Sequence, residues 1–160
     1  LTKFGNDNNI EVIIDRENYP NLEYFVQSFQ HPDVSLTPSE LPYRKVRSIP
    51  LAGGSLDFGE LSMSIILDEN LKGYQEMHDW MIRIIDQPLK GAIDRSKTVV
   101  PSSADITLSI LNSQNNKTKN IKYNGAIPTN LGGIQFETTS GGGEFLTASM
   151  TFRFQTFELL

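Results

Sequence analysis

Apolar residues in this chain recur mostly at every second position, and that period restricts the fold more than any other feature. Side chains two apart lie on one face of a strand, so the pattern calls for sheet. The clearest run is Phe58 to Asp68, where Leu61, Met63, Ile65 and Leu67 alternate with Glu60, Ser62, Ser64 and Ile66. Ile10 to Ile14 predicts a shorter strand. Leu22 to Phe29 is apolar on both faces, which predicts a strand covered on each side, after a turn at Tyr19-Pro20-Asn21. Ala104 to Leu111 places Ala104, Ile106, Leu108 and Ile110 on one face, ahead of a polar turn from Asn112 to Thr118. Asn120 to Ile127 and Leu131 to Thr138 predict two strands divided by Pro128-Thr129-Asn130. Gly141-Gly142-Gly143 leads into a last strand, in which Leu146, Ala148, Met150, Phe152 and Phe154 face the core.

Helical spacing occurs once. Leu71, Tyr74, Met77, Met81, Ile82 and Ile85 recur every three to four residues, which predicts a helix over about residues 69 to 87. Asp68 is placed to cap its start and Pro88 to stop it. Trp80 falls beside the stripe, as a packing anchor at its edge.

Sequential strands with short turns predict antiparallel pairing. The expected fold class is mainly β with one α-helix, an antiparallel β-sandwich or barrel with a flanking helix. At 160 residues the chain is a single domain, 1–160, without internal repeats. Two stretches stand outside the pattern as long arms, 38–57 and 88–103. The first carries Arg44, Lys45 and Arg47 beside Ile49, Pro50 and Leu51, a cationic cluster in an acidic chain. The second carries Lys90, Asp94, Arg95 and Lys97. Such segments are either solvated hairpins or surfaces that pack on another subunit, and long ordered loops tend to have a role.

Several chemistries are excluded or disfavoured. The chain has no cysteine, which removes disulfides, thiolate nucleophiles and Cys-containing zinc sites. His31 and His78 are its only histidines. Fourteen basic against nineteen acidic residues leave a net charge of −5, unlike a dedicated DNA-binding domain. Ala52-Gly53-Gly54-Ser55 and the glycine run after Ser140 lack the Lys-Ser/Thr and the following helix of a phosphate loop, so they read as loop punctuation. Asp68-Glu69 and Glu76-Asp79 read as a helix cap and a solvated helix face, not as an acid–base pair. His78 and Asp79 are adjacent on the helix and do not face each other. No apolar stretch reaches the length of a membrane span. Neither a cofactor, a metal nor a catalytic residue is expected.

The run Ile49-Pro50-Leu51-Ala52-Gly53-Gly54-Ser55-Leu56-Asp57-Phe58-Gly59-Glu60-Leu61-Ser62-Met63 leads into Leu67-Asp68-Glu69-Asn70-Leu71-Lys72-Gly73-Tyr74 and then His78-Asp79-Trp80-Met81. In that order these segments resemble the tail-tube proteins of contractile-tailed bacteriophages and their baseplate-proximal relatives. Tyr123 to Gly132, with its Pro128-Thr129-x-Leu131 turn, and the closing Leu146 to Phe157 are similar to the later part of that family. Pro20-Asn21-Leu22 with Phe25-Val26-Gln27 is similar to an early strand. The resemblance spans most of the chain.

The resemblance implies a structural subunit that forms homohexameric rings stacked around a DNA-conducting channel. It implies a place in the virion tail, assembly in the host cytoplasm, and sheath, baseplate and tape-measure partners. The arms would contact neighbouring subunits or rings. Glu60, Ser62 and Ser64 are candidates for the lumen, where six copies of an acidic subunit would let DNA pass without binding it. The helix would be capped by Asp68 and packed through Leu71, Tyr74, Met77, Trp80 and Met81. Other readings are a tube-initiating or baseplate protein of the same fold, a secretion-system tube protein, and a carbohydrate-binding β-module. An enzyme is the weakest reading.

Overall fold

The computed structural model of the chain describes residues 10–15, 18–24, 26–43, 47–89, 102–136 and 145–160. Its strands are β1 (Ile10–Ile14), β2 (Val26–Gln30), β3 (Val34–Leu36), β4 (Ser39–Tyr43), β5 (Arg47–Leu51), β6 (Leu56–Phe58), β7 (Leu61–Ile66), β8 (Ala104–Leu111), β9 (Lys117–Leu131), β10 (Thr147–Arg153) and β11 (Thr156–Leu159). The helices are α1 (Pro20–Tyr24) and α2 (Lys72–Leu89). The architecture is mainly antiparallel β with one long helix. One seven-stranded sheet runs β1-β8-β9-β10-β7-β2, with β11 also beside β9. β9 bends the sheet: its first part pairs with β8 and β11, and its last part with β10.

The alternation on β7 is realised, with Leu61, Met63 and Ile65 buried and Ser62, Ser64 and Ile66 turned away. The same holds for Val12 and Ile14 on β1, Ile106 and Leu108 on β8, and Ala148, Met150 and Phe152 on β10. These faces enclose one core with Leu22 of α1 and Met77 and Trp80 of α2. Trp80 is central to it, not at its edge. It is fully buried, stacks on Tyr19 at 4.5 Å, lies 5.8 Å from Phe152, and donates its indole N–H to the Ser102 carbonyl at 2.8 Å.

Four expectations are corrected. Residues 20–24 form a helical turn, so Leu22 to Tyr24 are helical instead of the start of a strand. Pro20 opens it, where a fixed φ suits the first helical position. Asn21 then ties α1 to α2 by donating its backbone and side-chain N–H groups to the Glu76 carboxylate. The long helix begins at Lys72, because Asp68 to Leu71 makes a turn that ends with Leu71 at φ 52. Pro88 lies in the last turn of α2, not beyond its end. The buried line along α2 is Gly73, Met77 and Trp80, so Ile82 and Ile85 are exposed instead of inward. The indole is the largest apolar group on the helix, and its burial sets the helix rotation.

The third correction is β9, which runs unbroken through Pro128-Thr129-Asn130. Pro128 faces Phe152 where the register slips between Thr151 and Phe152, and at such an irregularity a missing N–H is tolerated. The fourth is the last strand, which breaks at Phe154-Gln155 into β10 and β11. The break returns Phe157 to the core side, where simple alternation had turned it away.

Candidate functional site

The first arm is a two-stranded ribbon that continues the β2–β7 pair beyond the sheet. β3 pairs with β6, as Val34 with Phe58 and Leu36 with Leu56. β4 pairs with β5, as Ser39 with Leu51, Leu41 with Ile49 and Tyr43 with Arg47. Since directly opposed residues share a face, each segment has an apolar face and a polar one. Val34, Leu36, Leu41, Ile49, Leu51 and Leu56 are all exposed, Leu36 at 59% and Leu56 at 55%. Among the described residues nothing covers this row of aliphatic side chains. Pro42 opposes Ser48 and Pro50 opposes Glu40. Proline carries no N–H, so these strands are poor templates for adding a further strand.

The two ribbon segments join at a bulge, where Thr37 donates its N–H to the Ser55 carbonyl and Ser39 to the Gly53 carbonyl. Gly54 has φ +135, and a Cβ there would overlap the Thr37 carbonyl oxygen. Gly53 has φ +131 as well, so the glycine pair is required by the bulge, and the run Gly141-Gly142-Gly143 lies outside the described residues. Arg47 is exposed on the ribbon near Ile49, Pro50 and Leu51. Arg44 and Lys45 lie outside the described residues, as do Lys90, Asp94, Arg95 and Lys97 of the second arm.

A second surface is the outward face of β2, β7 and β10. Ser28, Gln30, Ser62, Ser64 and Ser149 line a shallow groove there together with Phe29 and Met63, and Ser62 Oγ is 3.4 Å from the Gln30 amide oxygen. Thr147 and Thr151 continue the face along β10, and Arg153 ends it. The surface is hydroxyl-rich and almost uncharged. Glu60 is exposed just before β7 at the root of the ribbon, apart from this groove.

Asp68 Oδ1 accepts the N–H of Lys72 at 2.8 Å, the first amide of α2. Met77 and Trp80 are buried, while Leu71, Tyr74 and Met81 are half-buried along the same helix. His78 and Asp79 approach to 3.6 Å, both largely exposed. Among the described residues no three His, Asp or Glu side chains group as a metal site.

Two features escaped the sequence reading. One is a buried polar pair, Tyr19 and Arg83, joined by a hydrogen bond from the guanidinium to the phenol oxygen, with the guanidinium 5.5 Å from the ring centre. Burial raises the Tyr19 pKa, although Arg83 pulls against it. The other is an aromatic cluster at the ribbon's root, formed by residues up to 128 positions apart in the chain, Phe29 and Phe157 among them. No local spacing signals such a cluster.

No protein-family model matches the chain, and no curated protein does. Solved structures do. A chain of the anti-feeding prophage (AFP) tube-terminating cap superposes with a TM-score of 0.66 at 15% identity, over 100% of this chain and 93% of that one. A chain of the sheath-tube complex of the extracellular contractile injection system PVC, in its extended state, gives 0.62 at 15% identity, over 99% and 93%. A chain of the AFP baseplate, determined with 6-fold symmetry, gives 0.63 at 14% identity, over 94% and 90%. The chain has the tail-tube fold. The ribbon, the bent sheet and α2 are thus elements of that fold, and the exposed aliphatic row lies on the ribbon.

Proposed function

We propose that the chain is a structural subunit of a phage tail tube, stacking as hexameric rings around a DNA-conducting channel. The observation that carries this reading is the ribbon, which projects a row of aliphatic side chains that the subunit itself leaves exposed. An element of this kind is stable and soluble in use only when a neighbour covers it. The fold shared with tube, baseplate and cap chains of contractile systems supports a second copy as that neighbour. Six-fold symmetry in one of those assemblies supports a ring of six.

In this reading the ribbon, with Arg47, Ile49, Pro50 and Leu51, docks on the next ring or the adjacent subunit. Arg44 and Lys45 and the second-arm residues Lys90, Asp94, Arg95 and Lys97 belong to the same set of contacts. The hydroxyl face around Ser62 and Ser64 lines the channel, with Glu60 near its rim. A face of hydroxyls and amides offers phosphates no cationic anchor, so DNA passes without being held. Sheath, baseplate and tape-measure proteins are the partners, the virion tail is the location, and assembly takes place in the host cytoplasm. The subunit's work is contact, with no chemistry. No helix among the described residues is long and apolar enough to cross a membrane.

The likeness to cap and baseplate chains favours a second reading, a tube-initiating or baseplate tube protein of the same fold present in few copies. Sedimentation velocity tests the oligomer. A species of six subunits is expected, and a monomer at every concentration would instead favour a free binding module. Counting copies per particle then separates the tube subunit from the initiator.

A further inference from the structure

Asn124-Gly125 is the only Asn-Gly pair in the sequence. In such a pair the glycine main-chain nitrogen can attack the asparagine side-chain carbonyl, because no side chain shields it and the glycine backbone turns freely. The Gly125 nitrogen bonds to Asn124 Cγ and the Cγ–Nδ2 bond breaks. The side-chain nitrogen leaves as ammonia, with the proton that Gly125 gives up. Water then opens the cyclic imide on either side, leaving a carboxylate in place of the amide. One product keeps the normal main chain, and the other carries an extra methylene in it.

The pair lies within β9, with Gly125 at φ +63. The peptide group between the two residues is fastened at both ends. Its carbonyl, on Asn124, accepts the Gln155 N–H at 3.0 Å, from the break between β10 and β11. Its N–H, on Gly125, donates to Asp105 Oδ1 of β8 at 3.1 Å. Asp105 Oδ2 in turn lies 3.1 Å from Lys122 Nζ. The Asn124 side-chain amide is 3.4 Å from Glu158 Oε1 of β11. The Gln155 side chain lies over Gly125, where an added Cβ would come within 3.0 Å of it.

We propose that Asn124 is a latent deamidation site and that Asp105 is the group that holds it closed. Attack requires the peptide group to rotate and its N–H to lose a proton. Rotation breaks the bonds to Asp105 and Gln155. Deprotonation would set a negative nitrogen against a carboxylate, which like charges disfavour. Asp105 does not promote the step as a base. The Gly125 bond above all holds its pKa below the usual carboxylate value, and so weak a base does not take an amide proton. The reaction would be felt across the sheet. A carboxylate at position 124 would meet Glu158 on the β9–β11 pair, where Asn124 lies opposite Thr156. The extra methylene of the second product would break the register of β9 against β11.

The test follows conversion of Asn124 by peptide mass spectrometry at pH 8 and 37 °C, with Asn112-Ser113 in the same chain for comparison. Wild type is measured folded and in urea, beside folded Asp105→Ala and Lys122→Ala. Folded wild type is expected to convert at Asn124 slower than in urea by about tenfold or more, because a hydrogen bond to a charged group must open first. Asp105→Ala should speed Asn124 by about tenfold and leave Asn112 at the wild-type rate. Lys122→Ala keeps the Gly125–Asp105 bond and should match wild type. Equal wild-type rates folded and in urea would overturn the proposal. So would an Asp105→Ala rate equal to wild type, or one raised equally at Asn112, which would mean general loosening of the fold. Acceleration by Lys122→Ala as large as by Asp105→Ala would overturn it too.

Discussion

At the scale of single residues, the fold depends most on Trp80. Its ring bridges α2, Tyr19 and Phe152, and its N–H satisfies the Ser102 carbonyl. Trp80→Ala should cost about 4 kcal/mol, the usual range for deleting a buried aromatic, and this is read from chemical denaturation by circular dichroism. Asp105 works more weakly. Its carboxylate accepts the Gly125 N–H at 3.1 Å and lies 3.1 Å from Lys122 Nζ, and the Gly125 bond above all holds its pKa below the usual value. A group with a lowered folded pKa favours folding above its unfolded value near pH 4 and loses that contribution as pH falls through the folded one. Asp105→Asn should therefore cost about 1 kcal/mol or less at pH 7, given the exposure of the side chain. The difference from wild type should shrink as pH falls below the ordinary carboxylate range and vanish once Asp105 is protonated in the folded state. Denaturation midpoints at pH 7, 5 and 3 check this.

At the scale of elements, the ribbon is separable from the core. Ile49→Asp with Leu51→Asp places charge on an exposed face, so the melting temperature of the subunit should stay within about 2 °C of wild type. Assembly should be lost, since an uncompensated carboxylate would be buried at the contact. Light scattering and calorimetry on the same preparation check the pair of outcomes. Gly54→Ala strains the bulge, so it should impair assembly while leaving the denaturation midpoint of the core nearly unchanged. These elements also show what a sequence can tell. β7 was readable to the residue, because each position feels only its own strand and one buried face. The turn at residues 20–24 was not, because apolar residues suit either a buried strand or a packed helix, and contact with Glu76 decides between them. Pro128 misled for the complementary reason: its strand changes partners there, which only the neighbouring strand's register reveals. The buried line on α2 shares only Met77 with the expected stripe, because two candidate stripes overlap and the core's shape around Trp80 selects the other. Of the assembly surfaces, the first arm's position was legible from its length and its break in alternation. The aromatic cluster at its root was not, since His31, Phe58, Tyr123 and Phe157 meet only after folding.

At the scale of the whole molecule, the subunit looks incomplete by itself. A well-filled core supports a ribbon whose aliphatic face stays in water and a sheet whose outward face at β2, β7 and β10 is hydroxyl-rich and nearly uncharged. In the proposed ring of stacked copies, the first would be buried and the second would line a channel. The absence of cysteine and the scarcity of histidine fit a chain that works by repeated contact. Net charge also takes on a narrower meaning. The described residues of the face around Ser62 are close to neutral, so in the proposed channel low adhesion toward DNA would come from the lack of cations there more than from repulsion. Electron microscopy of the purified protein tests the central claim most directly. The account predicts sixfold rings with a central channel, joining into tubes as concentration rises. Uniform monomeric particles at all concentrations would contradict it.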